Sequence, residues 1–353
     1  MKISPPVLKI NLNNIKRNWQ QYNKFCNSDV DAVIKANAYS LGAEKIYNTL
    51  IDAGCKRFWV ATIEEAITLR KVNSKPEIAV LEGIASNNID LYKKHNLQGV
   101  INTPEQLELW KKNQDLSVWI HIDTGMNRLG ISHNKAIDVL KDAPKPFGYL
   151  SHLASSTELD NPFNKTQVDR FEKIVKQLPK ANTSMYNSHG VVGKSFNQKH
   201  SIRLGVGLYG IINSEFNLKP VLELSASVTK IDTIEKGEPI GYNSTFVADK
   251  KTKIASVNIG YGDGFNVNMS NKGYLYHNKQ RFPVLGLVSM DVIMIDITGN
   301  NDLKVGDKIT IFNSCKYDNK AGIIDVIEMS NICNVSAHNI ITNCRGRVIK
   351  KYI

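Results

Sequence analysis

Residues 31–54 read DAVIKANAYSLGAEKIYNTLIDAG. The apolar run 32–34 delivers Lys35 and then gives way to small and polar residues, after which 42–54 follows an amphipathic helical pattern. Strand, turn and helix therefore come in that order. A lysine at the end of a buried run costs free energy unless its charge is neutralised or bonded, so Lys35 is a candidate for chemistry as well as for structure.

The same unit recurs. Strand-like runs stand at 31–37, 57–62, 77–83, 97–102, 116–123, 147–154, 183–188 and 201–207, and helical patterns between them include 42–54, 62–72, 103–112 and 161–178. Alternation of strand and helix implies parallel strands joined by crossovers, and eight such runs imply a closed (β/α)8 TIM-like barrel. An open doubly wound sheet is the alternative. From 221 the texture changes to strands separated by turns, at 222–234, 253–260, 282–288, 292–297 and 308–312, with little helix before 321–329. The expected class is α/β, a barrel over 1–220 followed by a mainly-β domain over 221–353. The early run at 7–12 precedes the barrel strands and is expected to pair with the β domain.

The chain has 353 residues and an ordinary globular composition, with a formal net charge of +12. Its lysines are spread along the whole length with no long basic block, which suits a solvated surface better than a nucleic-acid partner. No apolar run approaches membrane-spanning length, and the first residues carry no secretion-type apolar region. The five cysteines are scattered, without a CxxC pair, so neither a disulfide framework nor a metal site is expected. A reducing, cytoplasmic setting fits best.

Active sites of such barrels lie where the strands end. There the sequence places Lys35, Asn37 and Tyr39 after the first run, HID leading into TGMNRLG after the fifth, His152 in the sixth, Asn187 and Ser188 in the seventh, and Arg203 in the eighth, running into GVGLYG at 205–210. This last segment matches G-x-G-x-x-G but does not open a helix after a first strand, so it is poor evidence for a dinucleotide. Its glycines still let backbone N–H groups approach a phosphate, and barrels commonly bind phosphate after the last two strands. Tight turns packing the rim explain the spacing equally well. A strand-end amine facing a phosphate cradle suggests pyridoxal 5'-phosphate, which needs a lysine for its Schiff base, a phosphate site and a partner for its ring nitrogen. Lys35, Ser188 with Gly205, and Arg203 can fill those roles.

The segments AVIKANAYSLG, HIDTGMNRLG, SHLASS, YNSHG, IRLGVGLYG, IGYNSTF, NIGYGDGF and VLGLVSMD occur in the order found in the bacterial alanine racemases, and the chain resembles that family over most of its length. The resemblance implies a pyridoxal-phosphate enzyme that interconverts L-alanine and D-alanine for peptidoglycan. It implies that Lys35 carries the cofactor as an aldimine and serves as one base, and that Tyr39, Ser188, Gly205 and Val206 hold the phosphate. His152 would lie against the cofactor ring and Arg203 would face the pyridine nitrogen. Arg128 would bind the substrate carboxylate, Tyr261 would line the entrance, and Met290 would touch substrate through its backbone. Tyr242, lent by the β domain of a second subunit, would be the other base, so the enzyme would work as a homodimer. Two bases on opposite faces are what racemisation demands, because one base would return the proton to the face it came from. A tyrosine ordinarily has a pKa of about 10, and His152 with Arg203 could polarise Tyr242. Arginine cannot accept a proton, so Arg203 would leave the pyridine nitrogen unprotonated and suppress transamination.

The chain departs from the pattern at His121, where many members carry a carbamylated lysine that braces the substrate arginine. It also departs at Gly346, near which some members place a phosphate-binding tyrosine. Alternatives are a racemase of broader or shifted choice, serine for example, or a pyridoxal-phosphate protein without racemase activity, which would lack residues 221–353. A decarboxylase of the same cofactor type would normally use a cysteine at the rim, and none of the rim segments has one.

Overall fold

Strands covered on both faces read as unbroken apolar runs, and several short strands here are buried at every position: β2 (Val30–Val33), β3 (Arg57–Val60) and β5 (Gln98–Ile101). The computed structural model describes residues 3–193, 196–212, 216–278, 280–314 and 324–353. The strand β1 (Val7–Ile10) comes first, and β4 (Glu77–Val80) lies between β3 and β5. After them come β6 (Val118–Asp123), the two-residue β7 (Ile131–Ser132), β8 (Gly148–Leu150), β9 (Asn182–Asn187) and β10 (Ser201–Leu204). Parallel pairing runs β2-β3-β4-β5-β6-β8-β9-β10, and β10 pairs back onto β2. The expected eight-stranded closed barrel is therefore the one observed.

The connecting helices start where their sequences say they should. Thr62 and Glu65 form a reciprocal capping box for Ile63–Val72. Thr103 and Asn161 each cap a helix whose first residue is proline. Inside the barrel Val33, Trp59, Ala79, Val100, Trp119 and Leu150 pack together as the floor of its mouth. Below them Arg57 pairs with buried Asp31 at 3.2 Å, and Trp59 Nε1 donates to the same carboxylate at 2.8 Å.

The remainder is mainly β: β11 (Leu222–Ile234), the hairpin β12 (Pro239–Ile240) and β13 (Phe246–Val247), then β14 (Thr252–Val257), β15 (Tyr274–His277), β16 (Gln280–Leu285), β17 (Ile293–Asp296), β18 (Lys308–Asn313) and β19 (Ile349–Tyr352). The long β11 pairs with β18 and β1 along its first half and with β14 along its second. The series β14-β17-β16-β15-β18 completes an antiparallel ring with β11. The N-terminal β1 lies in this sheet, between β11 and β19. Helices Val326–Cys333 and Ala337–Thr342 lead to β19; residues 321–323 of the expected helical run at 321–329 lie outside the described residues. Cys26, Cys55, Cys333 and Cys344 are buried free thiols, and Cys315 is outside the described set. Among the described residues no helix is long and apolar enough to cross a membrane.

Candidate active site

Lys35 sits just past the end of β2, at the start of a turn whose next five residues, Ala36 to Ser40, all have φ between 52° and 66°. This is a turn of left-handed helix made without glycine, each residue disfavoured by roughly 1–2 kcal/mol. Hydrogen bonds hold it. Ala38 N donates to Ile34 O at 2.8 Å, Ser40 N to Ala36 O at 2.7 Å and Gly42 N to Asn37 O at 3.0 Å. Ala36 N donates to the Glu65 carboxylate, and Ser40 Oγ to Thr342 O at 2.7 Å. Residues four apart on a helical turn share a face, so Lys35 and Tyr39 are presented together. Partial burial and the nearby guanidinium groups of Arg128 and Arg203 push the Lys35 ammonium below its ordinary pKa, opposed by Glu65. A larger neutral fraction of the amine is what a Schiff base or a proton acceptor needs.

Arg203 rises from β10 into the barrel mouth and is buried. It donates to Ser184 Oγ at 2.7 Å, to Ser151 O and to His152 Nδ1 at 3.2 Å, and its guanidinium lies 5.6 Å from the Trp59 ring. Since arginine only donates, His152 Nδ1 must be the acceptor, which puts the remaining proton on Nε2. Burial first, then Arg203 and Arg128, hold the His152 imidazolium well below the usual histidine range. Burial lowers the Arg203 pKa to about 10, which still leaves it charged at neutral pH.

Opposite Lys35, Ser188 Oγ accepts from Gly205 N at 3.0 Å and from Gly207 N at 3.1 Å. Asn187 shapes this loop by accepting from His189 N and Gly190 N at 3.1 and 2.9 Å. A Cβ on Gly205 would come within 2.5 Å of the Tyr39 hydroxyl, so glycine keeps open a small space bounded by Tyr39 and Ser188. Tyr209, edge-on to Tyr39 at 5.5 Å, has a buried hydroxyl with no partner among the described residues. Val206 follows in the same buried turn. With its oxygen taken up by two N–H groups, Ser188 keeps its own O–H to donate, and that hydroxyl with room for a compact anion fits a phosphate.

The loop after β6 carries Arg128. Buried Asp123 organises it by accepting from Gly125, Met126 and Asn127 N at 2.9–3.1 Å. Arg128 itself is exposed and has no carboxylate partner among the described residues. His121 sits beneath, its Nδ1 2.9 Å from Asn102 Oδ1, and burial with Arg203 and Arg128 lowers its pKa to about 3. It supplies no negative charge at neutral pH.

The other three expected site residues form a separate group on the β domain. Tyr242, Met290 and Tyr261 are 70%, 52% and 45% exposed. Tyr261 N donates to Ser289 O at 3.1 Å and Gly262 N to Met290 O at 3.0 Å. Asn271 joins the Tyr242 turn to the same region, donating to Thr245 Oγ1 at 3.1 Å and accepting from Gly286 N at 2.6 Å. In one chain the structure thus gathers Lys35, Tyr39, Arg128, His152, Ser188, Arg203, Gly205 and Val206 at the barrel mouth. It leaves Tyr242, Tyr261 and Met290 facing solvent.

Sequence reasoning placed Asp123 at the rim only within HID and missed Glu65 and His338. Thr62-x-x-Glu65 is a visible capping box, and Asp123 before Thr-Gly is a visible turn former. His338, 5.7 Å from the Tyr39 ring, carried no signal.

Comparison with known proteins identifies the family. The family model for the alanine racemase N-terminal domain matches residues 10–213, and that for the C-terminal domain matches 221–352. The alanine racemase of Rickettsia africae is 34% identical, with 98% of this chain and 99% of that protein aligned. A crystal structure of alanine racemase from Bartonella henselae with covalently bound pyridoxal phosphate superposes with a TM-score of 0.91 at 28% identity, covering 99% of this chain and 100% of that one. The biosynthetic alanine racemase of Pseudomonas aeruginosa gives 0.88 at 26% identity, covering 99% and 100%. With both domain models and full-length relatives matched, the chain belongs to the alanine racemase family and is an amino-acid isomerase.

Proposed function

We propose that this protein interconverts L-alanine and D-alanine with pyridoxal 5'-phosphate held on Lys35, in the cytoplasm, and so supplies D-alanine for peptidoglycan. The observation that carries the reading is the pairing of a lysine of lowered pKa with an open Gly205–Ser188–Tyr39 cradle and a buried, donor-only Arg203. The bound cofactor of the Bartonella henselae relative supports it. When bound, the cofactor withdraws electrons from the amino acid and makes its α-hydrogen removable.

The chain's own residues do the rest. Tyr39, Ser188, Gly205 and Val206 hold the phosphate. Arg203 is already bonded to Ser184, Ser151 and His152 and offers a further N–H, never a proton acceptor, to the pyridine nitrogen. His152, neutral and of fixed tautomer, would lie beside the cofactor ring as a spacer. Arg128, without a carboxylate partner among the described residues, is available to the substrate carboxylate. Lys35 Nζ takes or returns the α-proton on one face.

The second face needs a base placed opposite Lys35. In this reading residues 221–353 of one subunit cover the 1–220 barrel of the other, and Tyr242 of the partner subunit is that base, with Tyr261 and Met290 closing the entrance. The exposure of all three in a single chain supports a homodimer.

The purified protein should show the visible absorbance of a lysine-bound cofactor and convert L-alanine to D-alanine by chiral analysis. Lys35→Ala should lose both, with at least about a thousand-fold loss of turnover. A wild-type protein with neither property would sink the reading.

A further inference from the structure

The C-terminal segment after Ala337–Thr342 carries no role in the reading above, yet it is bolted to two places. Tyr352 OH donates to Leu41 O at 2.9 Å, just beyond the Lys35 turn. At the other end Arg347, two residues before the start of β19, grips two carboxylates. Its Nε donates to Asp263 Oδ1 at 3.0 Å and its Nη2 to Asp263 Oδ2 at 3.2 Å, while its Nη1 donates to Asp291 Oδ1 at 2.6 Å. Asp263 ends the turn that carries Tyr261, and Asp291 follows Met290.

These contacts are unequal. Arg347 and Asp291 are both more than half exposed, and such a pair contributes little to folding. Asp263 is buried, and its other contact is the Gly260 N–H at 3.1 Å. Removing the guanidinium strands that carboxylate, which is costly where it stands. The turn's alternatives are otherwise few: a Cβ on Gly260 or Gly264 would collide with the Met290 and Asn343 backbones. A two-carboxylate fork fixes orientation as well as charge, and lysine, a point charge, cannot reproduce it.

We propose that Arg347 is a positioning residue for substrate selectivity: by clamping Asp263 and Asp291 together it fixes the two loops that present Tyr261 and Met290, and so sets the width of the entrance for alanine against larger amino acids. This rests on the reading of Tyr261 and Met290 as entrance residues given above. Small pockets discriminate weakly by contact alone, so loop rigidity is where the margin between alanine and serine is held.

The test uses the cofactor-loaded wild type with Arg347→Met, Arg347→Lys and Asp291→Asn, measuring kcat and KM for alanine and for serine. Arg347→Met should raise KM for alanine and narrow the alanine-to-serine ratio of kcat/KM by about ten-fold. Arg347→Lys should recover part of the ratio, and Asp291→Asn, at an exposed position that folding tolerates, should shift it the same way by less. Amide exchange should quicken at 260–264 in Arg347→Met. A merely structural role would lower both substrates by one factor. An active wild type whose ratio is unchanged in Arg347→Met, or in Asp291→Asn if the first does not fold, overturns this inference alone. A wild type that does not racemise alanine overturns the proposed function and this inference with it.

Discussion

His121 and His152 lie among Lys35, Arg128 and Arg203, and burial denies them the water that an imidazolium needs. Both are neutral in the folded protein at any pH near 7, whereas the unfolded chain takes up protons on them below about pH 6.5. The unfolded state therefore binds more protons, and stability must fall as pH drops from 6.5 toward the folded value of about 3 for His121. The loss is at most about 1.4 kcal/mol per pH unit for each histidine. Urea unfolding at pH 7.5 and pH 5 should show it, and His121→Gln should flatten the dependence while keeping a donor toward Asn102. An equal pH slope in that variant would show that His121 is solvated. The candidates readable from sequence were side chains that lie at strand ends, such as Lys35, Ser188 and Arg203. Asp123 and Glu65 were not readable as site residues because they act through backbone N–H groups of their neighbours. That work has no residue-type signature beyond a capping box or a turn.

At the scale of elements, the sequence patterns revealed the barrel strands and the longer runs of the second sheet, because burial on both faces and alternation are distinct in the two domains, but not the short β15 and β19. They did not reveal the left-handed turn after β2. Ala36, Ala38 and Tyr39 have no preference for that conformation, which ordinarily calls on glycine or asparagine. Its hydrogen bonds come from Ile34, Glu65 and Thr342, residues brought together only by the closed barrel and the C-terminal helices. Glu65→Ala should remove one of these supports and one half of a capping box, costing about 1–2 kcal/mol in chemical denaturation and loosening cofactor binding. The opposite wall can be tested with a second substitution. Gly205→Ala would drive a methyl group against the Tyr39 hydroxyl, so it should weaken cofactor retention by at least about ten-fold. Removing that hydroxyl with Tyr39→Phe makes room. The added effect of Gly205→Ala should therefore be smaller in Tyr39→Phe than in the wild type, a non-additivity expected of groups in contact. Strict additivity in cofactor titrations would mean that the two residues do not share the cradle.

For the whole molecule, the question is why the three β-domain residues expected at the site face water in a single chain. Exposed Tyr242, Tyr261 and Met290 are joined by backbone pairing and by Asn271 into one patch, the kind of apolar surface that marks an association site. If that patch completes the barrel of a second copy across a two-fold axis, each site takes Lys35 from one chain and Tyr242 from the other. The geometry then makes an unusual demand on mixtures. Lys35→Ala and Tyr242→Phe homodimers should each be nearly inactive, yet a mixed dimer of the two pairs an intact Lys35 with an intact Tyr242 at one of its two sites. Random reassortment makes half the dimers mixed, so co-expression at equal amounts should restore about a quarter of wild-type activity from two dead proteins. The restored activity should fall on dilution as dimers dissociate. If each chain instead built its own site, the mixture would stay as inactive as its components, whatever the oligomeric state, because no reassortment of chains could place a tyrosine opposite a lysine that its own chain lacks.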